Sequence, residues 1–330
     1  MSDNLFNVED ITVKMPTQTL SDNVAKISVI GVGGGGCNMI NHMITEGSHK
    51  IDLIVANTDL QVLHISKAPK KIQLGLKLTK GLGAGMKPEI GRDSAVESYE
   101  DIKNTLKGAD IVFIAAGLGG GTGTGAAAVV AAAAKEIGAL TVSVVTKPFT
   151  WEGKKRAGLA NLGLEELKKV SDSIIVVPND RLLDIIDESV GMKDAFRIID
   201  NILYQAVNGM SEVILNPGNA DINMDFADVR TIMQHRGMAL MGIGRAKGDD
   251  AAIKALEDAI ESPLLDKVSL SGAKGILIHF NIHPQISLFA INNVMEKIHE
   301  NIENFSYRMS QQIDTHVFYK VKYEQAIPIE

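Results

Sequence analysis

The segment Gly117–Gly125 reads GLGGGTGTG, six glycines in nine residues, set between the apolar run Ile111–Ala115 and an alanine-rich stretch that opens Ala126-Ala127-Ala128. Each glycine costs ~0.5–1 kcal/mol of chain entropy relative to alanine, so the turn requires an offsetting contact, and close backbone approach to a ligand is the contact glycine permits. A strand that passes through such a turn into a helix gathers backbone N–H groups and the positive helix end at one point, where an anion binds. Two further turns repeat the theme. Gly31-Val32-Gly33-Gly34-Gly35-Gly36-Cys37-Asn38 follows Ile27–Ile30, and Gly81-Leu82-Gly83-Ala84-Gly85 lies between the other two. No G-x-x-x-x-G-K-[ST] occurs. Phosphate charge must therefore be met by amides, a helix dipole and a hard cation rather than by a P-loop lysine.

The apolar runs Ile27–Ile30, Leu53–Ala56, Ile111–Ala115, Leu140–Val145 and Ile174–Val177 recur with helical stretches between them. Near-continuous apolarity marks strands covered on both faces, which predicts an α/β domain with a mainly parallel sheet. A long helix is predicted from 193 to 215, where Phe196, Ile199, Leu203, Val207, Met210 and Ile214 recur at intervals of three and four. Beyond it, strands at Ala239–Ile243, Ile276–Phe280 and His316–Val321 alternate with helices at Ala251–Glu261 and Leu288–Ile302, a smaller α+β pattern. The expected organisation is an N-terminal extension over 1–22, a ligand-binding domain over 23–190, a central helix over 191–216 and a second domain over 217–330.

Thirty-three basic against 40 acidic residues give a net charge of −7, so no positive field gathers nucleic acid or an anionic membrane. The single cysteine, Cys37, fits a reducing cytoplasm. The first twenty residues lack a basic segment followed by an apolar one, and the longest apolar run, Ala126–Ala134, is about half of a membrane span. Neither export nor direct membrane insertion is expected. Gly31–Gly36 also satisfies G-x-G-x-x-G, with Asp59 downstream, so an NAD-dependent oxidoreductase is an alternative at this point.

The run Gly119–Gly125, GGGTGTG, resembles the signature loop of the tubulin/FtsZ family. Further matching stretches are Asn57-Thr58-Asp59, Gly81–Gly85, Lys147-Pro148-Phe149, Glu152-Gly153-Lys154-Lys155-Arg156, Pro178-Asn179-Asp180 and Asp225–Arg230, so the resemblance spans Ile27 to Val321. It implies a Rossmann-like, parallel-sheet GTPase domain joined by a long central helix to a smaller α+β domain. It also implies a GTP-hydrolysing, filament-forming cytoskeletal protein of the bacterial division ring, located in the cytoplasm at the division site. Its cofactors are GTP or GDP with Mg²⁺, held mainly through phosphates and water with no protein metal ligand assigned, and K⁺ as an additional cation. Its partners are other copies of itself and, through a C-terminal tail lying beyond this chain's last residue, division-ring proteins and membrane tethers. A tubulin-like protein that binds nucleotide without hydrolysis is a second alternative.

Carried over residue by residue, the resemblance gives nucleotide contacts to Gly34, Gly35, Gly36, Cys37, Asn38, Ala84, Gly85, Gly120, Gly121, Thr122, Gly123, Glu152, Arg156, Phe196 and Asp200. It gives positioning of the attacking water to Asn223, Asp225 and Asp228. The chemistry agrees with guanine, because a carboxylate accepts from its ring N–H and adjacent amine together, a donor pair that adenine lacks. Phe196 and Asp200, four residues apart, share one helix face, although Phe196 also reads as core. Glu152 and Arg156 also read as a surface helical pair worth ~0.3–0.5 kcal/mol, and Asp225 with Asp228 as a helix cap and first-turn acid. A helix continuing from Asp200 to Leu215 separates base and acids by at least ~22 Å. The acids are therefore expected to serve the pocket of the next molecule, in a head-to-tail filament.

Overall fold

Six strands, β1 (Ile27–Val32), β2 (Asp52–Asn57), β3 (Lys70–Gln73), β4 (Ile111–Gly117), β5 (Leu140–Lys147) and β6 (Ser173–Pro178), pair in parallel in the order β3-β2-β1-β4-β5-β6. The computed structural model that shows this describes residues 25–48, 50–215, 220–222, 226–234, 237–248, 250–260, 275–282, 286–299, 305–311 and 315–322. The alternation of side chains sends one set to each face, and both faces are covered. Val29, Val55, Phe113 and Val142 pack on one side with α1 (Gly33–Thr45) and α7 (Met192–Leu215). Ile30, Ile54, Ile114 and Val145 pack on the other with α4 (Tyr99–Leu106), α5 (Thr122–Glu136) and α6 (Lys154–Val170). Between these helices lie α2 (Leu60–Ile65) and α3 (Pro88–Glu97). The alanines of α5 let α3 approach so closely that a Cβ on Gly125 would lie 1.9 Å from the Pro88 carbonyl oxygen.

The predicted parallel sheet does not end where the first half does. Strand β8 (Met238–Ala246) continues it through the pairs Ile174–Met238 and Ile175–Ala239. Beyond β8 the order runs β11 (Thr315–Lys322), β9 (Gly275–Ile282), β10 (Phe305–Gln311) and β7 (Ala220–Ile222), giving one mixed sheet of eleven strands. Helices α9 (Ala251–Ile260) and α10 (Leu288–His299) build a separate core there with Leu240, Ile278 and Phe280. Helix α8 (Phe226–Gln234) packs on β5 and β9. Strands β3, β7 and β10 are additions to the sequence expectation. Strand β3 is KKIQ on the sheet edge, too short and polar to show a buried run. No described helix is long and apolar enough to cross a membrane. The expected 1–22 extension lies outside the described residues.

Candidate functional site

The order β3-β2-β1-β4-β5-β6 reverses direction between β1 and β4, and open α/β sheets place ligands at the carboxyl ends of the strands at such a switch point. A cavity of about 620 Å³ opens there. Its floor is the two strand-to-helix turns. The turns meet at Gly33, whose φ of +73° suits glycine and where a Cβ would lie 2.7 Å from the Gly123 nitrogen. Helix α1 then starts with no side-chain cap on its first N–H groups, and α5 likewise. Those orphan donors, with both helix dipoles, face the cavity and suit an anion.

The glycines divide by what surrounds them. A Cβ on Gly36 would lie 2.3 Å from the Ala115 carbonyl oxygen, so packing against β4 requires that glycine. A Cβ on Gly34 or Gly120 would meet no atom within 4 Å, and both residues line the cavity. No described residue demands their missing side chains, and a ligand lying close on the backbone would.

Of the residues carried over from the resemblance, Gly34, Gly35, Asn38, Ala84, Gly85, Gly120, Gly121, Thr122, Gly123, Glu152, Arg156, Phe196 and Asp200 all line this one cavity. Gly36 and Cys37 do not: both are buried behind its wall. The Cys37 thiol accepts a hydrogen bond from Asn57 at 3.7 Å, and burial pushes it up to about 11, so it is an inert packing group. Asn223 and Asp225 lie outside the described residues. Asp228 sits in the first turn of α8, exposed and far from the cavity. Two residues on, Arg230 donates to the Gly138 carbonyl at 3.1 Å, just before β5 begins. The cavity includes Thr146 and Pro148 at the other end of that strand, about 23 Å away along β5.

The base end is aromatic. Phe196 is 39% exposed, and Phe149 meets it edge-on at 5.8 Å while stacking on Trp151 at 5.4 Å. Asp200 stands on the same helix face, half-buried, with no hydrogen-bond donor among the described residues. Burial raises its carboxyl to about 7, because a desolvated charge without a partner is disfavoured. Glu152 is ion-paired with Arg156 and also accepts from the Phe149 N–H at 2.9 Å. The four-residue spacing is thus a real pair, turned to the cavity rather than to open solvent.

Two further site residues, Asn179 and Thr58, lie in stretches that match the family but carry no site role in the sequence reading. Asn179, just past the end of β6, is 5% exposed, lines the cavity and leaves its buried Oδ1 without a partner among the described residues. Its sequence signal is the matching stretch Pro178-Asn179-Asp180, an amide just after an apolar strand. Thr58 is buried beside the floor, its hydroxyl 2.6 Å from that of Thr122. Asp59, which a dinucleotide reading would give to a ribose, is instead the N-cap of α2: its Oδ1 accepts from the N–H groups of Gln61 at 2.8 Å and Val62 at 3.4 Å.

Residues 26–187 match the GTPase domain of the tubulin/FtsZ family, and residues 237–310 match the C-terminal domain of the FtsZ family. The whole fold superposes on an FtsZ dimer from M. jannaschii, solved empty, with a TM-score of 0.84 and 41% identity over 92% of this chain and 89% of that one. The chain belongs to the tubulin/FtsZ family. A mutant of the M. jannaschii FtsZ gives a TM-score of 0.83 at 42% identity, covering 90% of this chain and 91% of that one. CetZ2 from Haloferax volcanii, solved as a GTPgS-bound protofilament, shares the fold at a TM-score of 0.80 and 19% identity over 92% and 94% of the two chains. Tubulin/FtsZ membership brings guanine-nucleotide binding and GTP hydrolysis as family properties, and it sets aside the nicotinamide reading of Gly31–Gly36.

The glycine division yields a paired test. Gly34→Ala places a methyl where the protein has open space and is expected to raise helix stability slightly, by up to ~1 kcal/mol, while weakening GDP binding at least tenfold. Gly36→Ala is expected to cost about 1–3 kcal/mol of stability through overpacking. Thermal melts and GDP titration of the two variants check both halves.

Proposed function

We propose that the cavity holds GTP or GDP and that the chain hydrolyses GTP where two copies meet head to tail, as a filament-forming GTPase of cell division. The Asp200 carboxyl carries the reading. It is an acceptor without a partner among the described residues, beside the exposed ring of Phe196, and guanine supplies two adjacent N–H donors that fit one carboxylate. Phe196 lies against the base, the Glu152–Arg156 pair meets sugar and phosphate, and the turns at Gly34, Gly85 and Gly120 cradle the phosphates. Residues 23–190 serve as the nucleotide domain, 191–216 as the connecting helix and 217–330 as the activating domain.

A hard cation fits the donor set. Asp59 lines the cavity beside Gly83 and keeps its Oδ2 out of the helix cap, and no cluster of three ligating side chains occurs among the described residues. Mg²⁺ would be held by Asp59 through water and by the phosphates themselves, where it would neutralise charge on the transferring group. The water must be oriented by other groups. Asn223, Asp225 and Asp228 are assigned that task in the pocket of the neighbouring copy, and the position of Asp228 at the opposite end of β5 supports a shared rather than a private site. An interface of two different surfaces that does not close by rotation propagates as a filament. Loss of the γ-phosphate removes charge at that junction and loosens it.

Phosphate release per molecule is expected to climb with protein concentration and to follow the sedimented fraction. A turnover number that stays constant under dilution, with every molecule monomeric, contradicts the shared site.

A further inference from the structure

Thr58 is 0% exposed, and its hydroxyl makes one hydrogen bond among the described residues, at 2.6 Å to the hydroxyl of Thr122. Distance alone leaves the proton's owner open. Burial decides it. If Thr122 donated, the Thr58 proton would be left in a dry environment without an acceptor, a costly arrangement that native structures avoid. Thr58 therefore donates and Thr122 accepts. The Thr122 proton is then free to turn elsewhere, and Thr122 is the first residue of α5 and lines the cavity.

We infer that Thr58 is a positioning residue that sets the Thr122 hydroxyl as a hydrogen-bond donor to the phosphates of the bound nucleotide, an inference that rests on the guanine-nucleotide reading of this cavity. The backbone around Thr58 keeps it in register. Its carbonyl oxygen accepts from the Gly83 N–H at 3.1 Å and from the Thr79 hydroxyl at 3.4 Å, so the residue is pinned from the side of the Gly81–Gly85 turn while its hydroxyl reaches the Gly117–Gly125 turn. A lone threonine hydroxyl rotates among its wells. One that already accepts a proton from a fixed neighbour has one orientation removed, and its own donor is preorganised toward the anion.

The test titrates GDP into the full chain and into Thr58→Val, Thr58→Ser, Thr122→Val and the Thr58→Val/Thr122→Val pair, with thermal melts alongside. Valine keeps the shape and removes the donor; serine keeps the donor. Thr58→Val is expected to weaken GDP binding about five- to tenfold, within the range of one ordinary hydrogen bond, since the Thr122 hydroxyl is misdirected rather than removed. Thr58→Ser is expected to bind within about twofold of the parent, and the double variant no more weakly than Thr122→Val alone. Parent-like binding by Thr58→Val overturns the inference, as do serine and valine variants that are equally weak, or losses that multiply in the double variant. Failure of the parent chain itself to bind GDP removes the nucleotide reading instead, so the two failures are distinct.

Discussion

Asp228→Ala protein and Asp200→Ala protein, each near 1% of the parent GTPase rate or below, are expected to regain about a quarter of that rate when mixed in equal amounts at assembling concentration. A working junction needs an intact base contact from one copy and an intact acid from the next, and in random copolymers about one junction in four joins the Asp228→Ala pocket to the Asp200→Ala acid face. Thr146 lines the cavity at one end of β5 and Gly138 holds Arg230, two residues from Asp228, at the other, which is the separation the proposed shared site requires. Loss in Asp228→Ala should fall on turnover with GDP affinity preserved, since the residue is remote from the cavity. A mixture no faster than the sum of its parts sinks the model.

Asp200 carries the second large effect. Its carboxyl, lifted to about 7 by burial, must ionise to accept from guanine, so binding releases a proton below that pH. GDP affinity is expected to rise up to about tenfold per pH unit from pH 5.5 to 7 and then level off. Asp200→Ala should bind at least about 100-fold more weakly and lose this part of the pH slope. The same variant should lose the preference for GTP over inosine triphosphate, which lacks the exocyclic amine. Stability carries the opposite sign. A carboxyl whose folded value lies above its unfolded value near 3.9 favours the fold at low pH, and that contribution is lost as the pH climbs through about 7. The nucleotide-free protein should therefore lose stability between about pH 4 and 7, and GDP should offset the loss. Fluorescent-GDP titration and melts across that range check both signs. A pH slope unchanged by Asp200→Ala removes the residue from base recognition.

Much of this was legible in the residues, for physical reasons. Strands buried on both faces announce themselves as unbroken Val and Ile, which is why β1, β2, β4, β5 and β6 match their predicted runs, whereas β3, as KKIQ on an edge, carries no such mark. The long helix was visible because its apolar stripe faces one side of the sheet throughout. What one dimension hides is the environment of a polar group. Glu152 and Arg156 read as an ordinary surface pair until the fold turns them to the cavity. Asp59 fits a ribose acid by spacing and serves α2 as a cap. Gly36 and Cys37 sit in the same motif as Gly34 and Asn38, yet helix rotation buries the first two and presents the others. Asn179 and Thr58 gain their meaning from hydrogen-bonding capacity that is left unfilled or singly filled among the described residues, a property that folding creates.

The chain has one tryptophan, and the fold sets it at the lip of the base end, 60% exposed, stacked on the Phe149 ring that in turn touches Phe196. A purine that slides against Phe196 alters the aromatic stack in which this indole sits. The molecule thereby carries a built-in, label-free optical gauge of pocket occupancy, with no other indole to dilute its emission.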